Sequence, residues 1–136
     1  MNRARHTTGW SLIELLIVLA CIAVLTHLAL PTYAHWQQRN QRSQVRLVLF
    51  QAAQWLERSA AANGRYPKGE EIPANLLSTQ NLSYTLQVSL SDQGFTLTAS
   101  PTGAQASDAC GSLTLTHLGE QGVLQASMPA VTCWQR

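Results

Sequence analysis

Residues 9–31 read G-W-S-L-I-E-L-L-I-V-L-A-C-I-A-V-L-T-H-L-A-L-P, an apolar stretch with one acid, Glu14, that ends at Pro31. As a helix, the part from Trp10 to Pro31 would extend about 33 Å at ~1.5 Å per residue, close to the ~30 Å hydrocarbon thickness of a bilayer. Its leucine, isoleucine and valine side chains favour insertion by about 4 to 7 kcal/mol in total. This exceeds the roughly 2.5 to 3.5 kcal/mol that one carboxylate costs. The stretch therefore predicts a helix that crosses a membrane once.

A short basic leader precedes the apolar stretch. Residues 1–9 include Arg3 and Arg5 and contain no acid, and this positive charge favours a cytoplasmic location for the N-terminal end. The rest of the chain is then expected on the extracytoplasmic side. A secretory signal peptide would need a small-residue cleavage site after the apolar stretch, and the following residues, P-T-Y-A-H-W, provide a poor one.

The order of these features resembles the class III signal of type IV prepilins and related pseudopilins. The shared features are a basic leader, then Gly9-Trp10, then Glu14 four residues later, then an apolar helix that ends at a proline. The resemblance implies that a prepilin peptidase cleaves after Gly9 and N-methylates Trp10, after which the helix enters the core of a polymer. The family usually has phenylalanine where this chain has Trp10.

Glu14 has two candidate partners after such a cleavage. The resemblance implies that it attracts the new ammonium group on Trp10 of the adjoining subunit, with an attraction of about 4 kcal/mol at ~4 Å before desolvation. Within one chain, Trp10 and Glu14 are four residues apart on a helix and could pair with each other. The two pairings can alternate, the internal one in the membrane and the intermolecular one in the polymer.

The remainder of the chain is long enough for one small domain. About a hundred of the 136 residues lie outside the leader and the span, which suffices for one hydrophobic core. Loss of the leader leaves seven basic and seven acidic side chains, so net charge gives no reason to expect nucleic acid or acidic partners. The predicted division is leader 1–9, membrane or fibre-core helix 10–31 and extracytoplasmic head 32–136.

A helical pattern resumes after Pro31. An apolar stripe at three- and four-residue spacing predicts an amphipathic helix that Asn63-Gly64 ends; its members are Val45, Val48, Leu49, Ala52, Trp55 and Leu56. The simplest structure is one helix from Trp10 to about Asn63. Proline removes a backbone donor, so a kink or local melting is expected at Pro31.

The C-terminal half alternates apolar and polar residues, as strands do. After an irregular connection over residues 64–82, strands are predicted around Tyr84–Leu90 and Phe95–Ala99, separated by a turn at residues 91–94. A third is expected over Ser112–Leu118 and a short fourth over Val123–Ala126, joined by a turn at residues 119–122. The helix stripe is the only helical surface predicted to cover this antiparallel sheet.

This arrangement resembles the α+β fold of type IV pilins, in which a long, kinked N-terminal helix packs on a small antiparallel sheet. Four segments resemble short minor pilins: Y-T-L at Tyr84, F-T-L-T-A-S-P from Phe95, D-A-C-G-S-L-T-L-T from Asp108, and C-W at Cys133. The resemblance implies a pilus subunit that helps assembly or initiation, hence twitching motility, adhesion or DNA uptake. Its expected partners are other major and minor pilins, the prepilin peptidase and the inner-membrane assembly platform.

Cysteine usage agrees with an exported head. Cys21 lies in the apolar stretch, where a thiol acts as a small hydrophobe, while Cys110 and Cys133 lie in the exported part. An oxidising compartment would allow the second pair to form a disulfide. Two free buried thiols remain the alternative, because sequence separation does not prove that the side chains meet.

Three arginines, Arg39, Arg42 and Arg46, share a helix face just beyond the span. They could contact anionic lipid headgroups, acids of a neighbouring subunit or DNA, or form a solvated face. Without clustered aromatic residues, they do not define a nucleic-acid site.

Catalysis is not expected. The four histidines have no metal-ligand spacing with a cysteine or an acid, no glycine-rich phosphate loop is present, and neither a cofactor nor a metal is predicted. Besides the structural role, two alternatives remain open: a head that binds DNA or a surface, and a pseudopilin of a type II secretion system.

Overall fold

The computed structural model describes residues 10–135, with the side chains of residues 28–31 excepted. The leader and the expected cleavage position Gly9 lie outside the described residues. The chain forms two compact units, Met1–Trp36 and Gln37–Arg136. The elements, in chain order, are α1 (Leu12–Asn63), a 3-10 turn (Gly69–Glu71), β1 (Tyr84–Ser91), β2 (Gly94–Pro101), a second 3-10 turn (Gly103–Ser107), β3 (Ser112–Thr116), β4 (Gln121–Leu124) and α2 (Ala130–Gln135).

Helix α1 is continuous through Pro31, so the local melting expected there does not occur. A proline removes one hydrogen bond from the helix, and the turns on both sides retain theirs. A bend at Pro31 stays a prediction. The helix ends where the sequence predicts: Gly64 has a φ of +71°, a left-handed conformation that favours glycine, and its N–H donates to the Ala60 carbonyl at 2.8 Å.

The four strands form one antiparallel sheet in the order β1-β2-β3-β4. The predicted β1–β2 hairpin is confirmed, with Leu90 opposite Phe95, and its turn is shorter than predicted, at residues 92–93 instead of 91–94. The turn between β3 and β4 lies two residues earlier than predicted, at residues 117–120 instead of 119–122, because β4 already begins at Gln121. Gly119 has the left-handed φ of +77° that the turn requires, whereas Gly122 pairs with Thr114 inside the sheet. A Cβ at Gly122 would lie 2.5 Å from the Thr114 hydroxyl, so this glycine permits close packing.

The core of the second unit lies between α1 and the sheet, as the apolar stripe predicts. The buried face of α1 consists of Val45, Leu49, Ala52 and Leu56. Val48 and Trp55, also in the predicted stripe, are only partly buried. The opposing buried side chains from the rest of the unit are Tyr84, Phe95, Leu97, Ala99, Cys110, Leu113, Leu115, Cys133 and Trp134.

The C-terminal helix α2 is not predicted by the sequence. It has six residues, too few for an apolar periodicity to be visible. The Pro129 carbonyl accepts from the backbone N–H groups of Thr132 and Cys133 at 3.1 and 3.2 Å and so starts the helix. The consequence is that Cys133 and Trp134 turn inward.

Leu47 and Leu49 on the same stretch of α1 provide a matched test of this packing, since Leu47 is 62% exposed and Leu49 fully buried. Leu49→Ala should lower the free energy of unfolding by about 2 to 5 kcal/mol, because it leaves a cavity in the core. Leu47→Ala should change it by about 0.5 kcal/mol or less. Urea unfolding of both variants in detergent measures the difference; equal effects would contradict the assignment of the core face.

Candidate functional site

The segment between the two exported cysteines is closed by a disulfide. Cys110 and Cys133 are fully buried, and their sulfur atoms are joined at 2.05 Å across 23 positions of sequence. The two free thiols considered as the alternative are therefore excluded. Closing a loop of this length contributes about 3.4 kcal/mol in the chain-entropy account. Cys21 is free and exposed on the apolar helix.

A buried ion pair joins α1 to the start of this disulfide segment, residues 110–133. Arg42 Nε lies 3.0 Å from Asp108 Oδ2, and both side chains are almost fully buried. The Nε–H is not aimed at that oxygen, so the contact is an ion pair without hydrogen-bond geometry. Arg42 Nη1 lies 2.6 Å from Cys110 Sγ. The guanidinium thus lies directly against the disulfide.

Further hydrogen bonds compensate the buried carboxylate of Asp108. Gln105 Nε2 donates to Oδ2 at 2.8 Å, and the Cys110 backbone N–H donates to Oδ1 at 3.3 Å. The same Gln105 amide lies 3.1 Å from the Tyr84 hydroxyl and 3.2 Å from the Gln38 carbonyl on α1. Burial raises the pKa of Tyr84, which therefore stays neutral. A buried charge is tolerated only when it is paired and hydrogen-bonded, and the Asp108 carboxylate meets both conditions.

A second arginine attaches the other end of the disulfide segment. The Arg46 guanidinium donates to the backbone carbonyl of Trp134. Burial lowers the pKa of Arg46, and the charge of Arg42 lowers it further. The indole N–H of Trp134 donates to the Gly122 carbonyl at 2.9 Å, and its ring meets the Phe50 ring edge-on at 5.8 Å. Both ends of the segment are thus fixed to α1.

The three arginines of the predicted basic face therefore separate into two groups. Arg42 and Arg46 hold the disulfide segment, and Arg39 alone of the three is exposed. Sequence spacing places all three on one face but cannot say that this face turns toward Asp108 and Trp134. Asp108 lies two residues before Cys110, and this position is the sequence feature that could have indicated its role.

The turn after Cys110 requires glycine. Gly111 has a φ of +53°, and a Cβ there would lie 2.3 Å from the Leu124 carbonyl oxygen. The same Cβ would lie 2.7 Å from the carbonyl oxygen of Gln125, the residue after β4, which itself has a positive φ of 54°. The D-A-C-G sequence thus supplies an ion-pair acid, a bridged cysteine and the glycine that the bridge needs to pack against β4.

In the first unit, the side chains of residues 10–27 are exposed throughout. Glu14 lies in the first turn of α1, where the helix dipole favours an acid. The Thr26 hydroxyl donates to the backbone carbonyls of Ile22 and Ala23, at 2.9 and 3.0 Å. This part of α1 is long and apolar enough to cross a membrane. The roles expected of Trp10, Glu14 and Pro31 in processing and assembly stay predictions.

An ordered connection follows α1 in the second unit. The Arg65 guanidinium donates to both carboxylate oxygens of Glu71, at 2.7 and 3.0 Å, and the Lys68 backbone N–H donates to the same carboxylate. The hydrogen bonds from Arg65 and then from Lys68 lower the pKa of Glu71 to about 2. Tyr66 donates to Glu57 and its ring packs edge-on against Phe95.

A groove of about 600 Å³ runs along the second half of α1. Its lining brings Arg58 together with the rings of Phe50, Phe95 and His117, and Glu57 also borders it. A cation beside aromatic rings is a combination that nucleic-acid sites use. Within the part of the chain that the structure describes, no cluster of histidine, cysteine and acidic side chains is arranged to hold a metal ion.

A long apolar N-terminal helix, a four-stranded antiparallel sheet packed on its continuation and a C-terminal disulfide define a type IV pilin. The chain is 32% identical to the protein in "High-Resolution Structure of a Type IV Pilin from Shewanella oneidensis", with a TM-score of 0.56 over 73% of this chain and 99% of that one. Residues 31–114 match the family described as "Type IV minor pilin ComP, DNA uptake sequence receptor". The chain belongs to this family of minor pilins. Comparison with curated proteins gives no significant match.

The buried ion pair makes a direct prediction. Asp108→Asn keeps the shape of the side chain but leaves the charge of Arg42 uncompensated, which should lower the free energy of unfolding by about 3 to 5 kcal/mol. Adding Arg42→Met should restore part of the loss, because the orphaned charge is removed. Urea unfolding of the single and double variants measures this coupling.

Glu71→Gln is the matched control, since it neutralises the acid of the solvent-exposed pair with Arg65. Exposed pairs contribute little, so its effect should be much smaller. An Asp108→Asn variant no less stable than Glu71→Gln would contradict a structural role for the Arg42–Asp108 pair.

Proposed function

We propose that this protein is a minor subunit of a type IV pilus that enters the fibre through the first half of α1. In this proposal the prepilin peptidase removes residues 1–9, Trp10 becomes the methylated N-terminus, and the chain waits as a single-pass inner-membrane protein with its head in the periplasm. The assembly platform then transfers it among other major and minor pilins. The proposal rests on one observation: the first half of α1 is an apolar stretch with one acid, Glu14, and none of the described residues buries its side chains.

The exposed apolar surface is too large to stay in water. Ten large apolar side chains between Leu12 and Leu25 are between 43% and 76% exposed. Burial of such side chains is worth about 1.5 to 3 kcal/mol each, so on the order of 15 to 30 kcal/mol is available to whatever covers them. Lipid provides this cover before assembly. Neighbouring pilin helices provide it afterwards.

Glu14 needs a partner both in the membrane and in the fibre. In a lipid environment a carboxylate is costly unless it is paired, and the ammonium group that cleavage creates on Trp10 is its natural partner. Pairing within one chain satisfies Glu14 in the membrane. Pairing with Trp10 of the adjoining subunit satisfies it in the fibre and fixes the axial register between the two helices.

Glu14→Ala therefore separates membrane insertion from assembly. The variant should be processed and membrane-bound as the natural chain is, because removing the acid makes the helix more apolar, yet its amount in sheared fibres should fall at least about tenfold if the ~1.4 kcal/mol or more of pairing is lost. Immunoblots of membrane and sheared fractions measure both quantities.

Glu70→Ala, which removes an exposed acid of the head, is the control and should leave incorporation unchanged. Normal recovery of Glu14→Ala in fibres would refute the role of this acid. A deletion that blocks protein export and leaves fibres intact would instead favour a pseudopilin of a secretion system.

A second function, DNA binding by the head, is supported by the family match. Residues 37–136 contain seven lysine and arginine and six aspartate and glutamate side chains, so any attraction for DNA must come from local groups. Arg39, Arg58 and Lys68 are exposed and form no ion pair among the described residues. Arg58 also shares its groove with Phe50 and His117. We propose these three cations as the phosphate contacts.

DNA binding is testable with the second unit, residues 37–136, and a fluorescent duplex. Binding should weaken steeply with salt, and neutralising Arg39, Arg58 or Lys68 to glutamine should each reduce the slope of log K against log salt by about 1. Arg65→Gln is the matched control, because Arg65 is already paired with Glu71. DNA binding at these residues would be refuted if the head does not bind at low salt, or if none of the three substitutions alters the slope of log K against log salt.

A further inference from the structure

Two aromatic side chains follow the apolar part of α1 within the first unit. Tyr33 is 61% exposed and Trp36 is 55% exposed, and their ring centroids lie 5.9 Å apart with planes inclined by 31°. They are three residues apart on a helix and therefore share one face. No described residue of this unit covers them beyond their contact with each other.

We infer that Tyr33 and Trp36 form an aromatic anchor in the outer headgroup layer of the membrane, which sets the depth of the helix before assembly. The inference rests on the proposed function, because it requires that the chain spans a bilayer. Tyrosine and tryptophan are enriched at membrane interfaces, where the ring contacts acyl chains and the O–H or N–H contacts headgroups and water.

The spacing along the chain fits a bilayer with an aromatic residue at each interface. Trp10 lies at the beginning of the apolar stretch and is 71% exposed. At ~1.5 Å per residue, Tyr33 and Trp36 lie about 34 and 39 Å from Trp10 along a helix. The hydrocarbon layer is ~30 Å thick, and the bilayer with its headgroups is ~40 to 45 Å thick. With Trp10 in the inner headgroup layer, both rings reach the outer one.

The charges around the anchor suit a lipid partner. The sequence contains no aspartate or glutamate between Glu14 and Glu57, so α1 itself carries no carboxylate beside Tyr33 and Trp36 that would repel lipid phosphates. His35 lies between the two rings in sequence and is exposed. Exposed tyrosine and tryptophan rings with no acid beside them on the helix favour a bilayer interface over water.

The test uses the full chain, processed to Trp10, in vesicles of phosphatidylethanolamine and phosphatidylglycerol. The fluorescence of Trp36 is obtained by subtracting the emission of the Trp36→Phe variant from that of the natural chain. This substitution keeps an aromatic ring at the position. Lipids brominated near the headgroup should remove most of this emission, and lipids brominated near the chain terminus should remove little. The emission of Trp10, obtained in the same way from the Trp10→Phe variant, should show the same quenching pattern at the inner interface.

Trp55→Phe is the control, because Trp55 packs against the core of the second unit and its emission should not respond to brominated lipid. Strong quenching of Trp36 from the chain terminus, or none from either lipid, would overturn the anchor; the second result would place the ring in water or against another protein. A chain that fails to sediment with vesicles would instead refute the proposed function. Normal binding with unquenched Trp36 would refute the anchor alone.

Discussion

The first half of α1 is apolar on every side, and none of the described residues covers it. Soluble proteins bury such helices in their own core, whereas this chain builds its core elsewhere, between the second half of the same helix and the sheet. The helix therefore needs an external apolar environment. A lipid bilayer and a bundle of pilin helices are the two that a pilin encounters, and the change from one to the other exchanges one apolar cover for another.

The second half of α1 organises the head by a different interaction. Its apolar face supplies one side of the core, and two arginines at the edge of that face hold both ends of the disulfide segment. The covalent bridge between Cys110 and Cys133 closes the segment on itself. Arg42 and Arg46 fix it to the second half of α1. The segment is thus held in one orientation relative to the second half of α1.

Much of the fold could be predicted from the sequence because it rests on periodicity. The stripe from Val45 to Leu56 and the alternation around Tyr84 and Phe95 each give a correct element with its buried face. The incorrect predictions concern features that show no hydrophobic periodicity in the sequence. The sequence places Gly122 in a turn because glycine suits both turns and close packing, and α2 is too short to show a pattern. The roles of Arg42 and Arg46 depend on distant partners, Asp108 and Trp134, that spacing along one helix cannot identify. At the candidate site, the two exported cysteines indicate the disulfide, whereas only the structure separates the exposed Arg39 from the buried Arg42.

The central claim is that the apolar helix becomes a free N-terminus that passes from lipid into a polymer of pilins. Mass spectrometry of the protein purified from sheared fibres tests it most directly. The account predicts a chain that begins at Trp10, carries one N-methyl group and retains the Cys110–Cys133 bond. A fibre-derived chain that still carries residues 1–9, or one cut beyond Pro31, would contradict it.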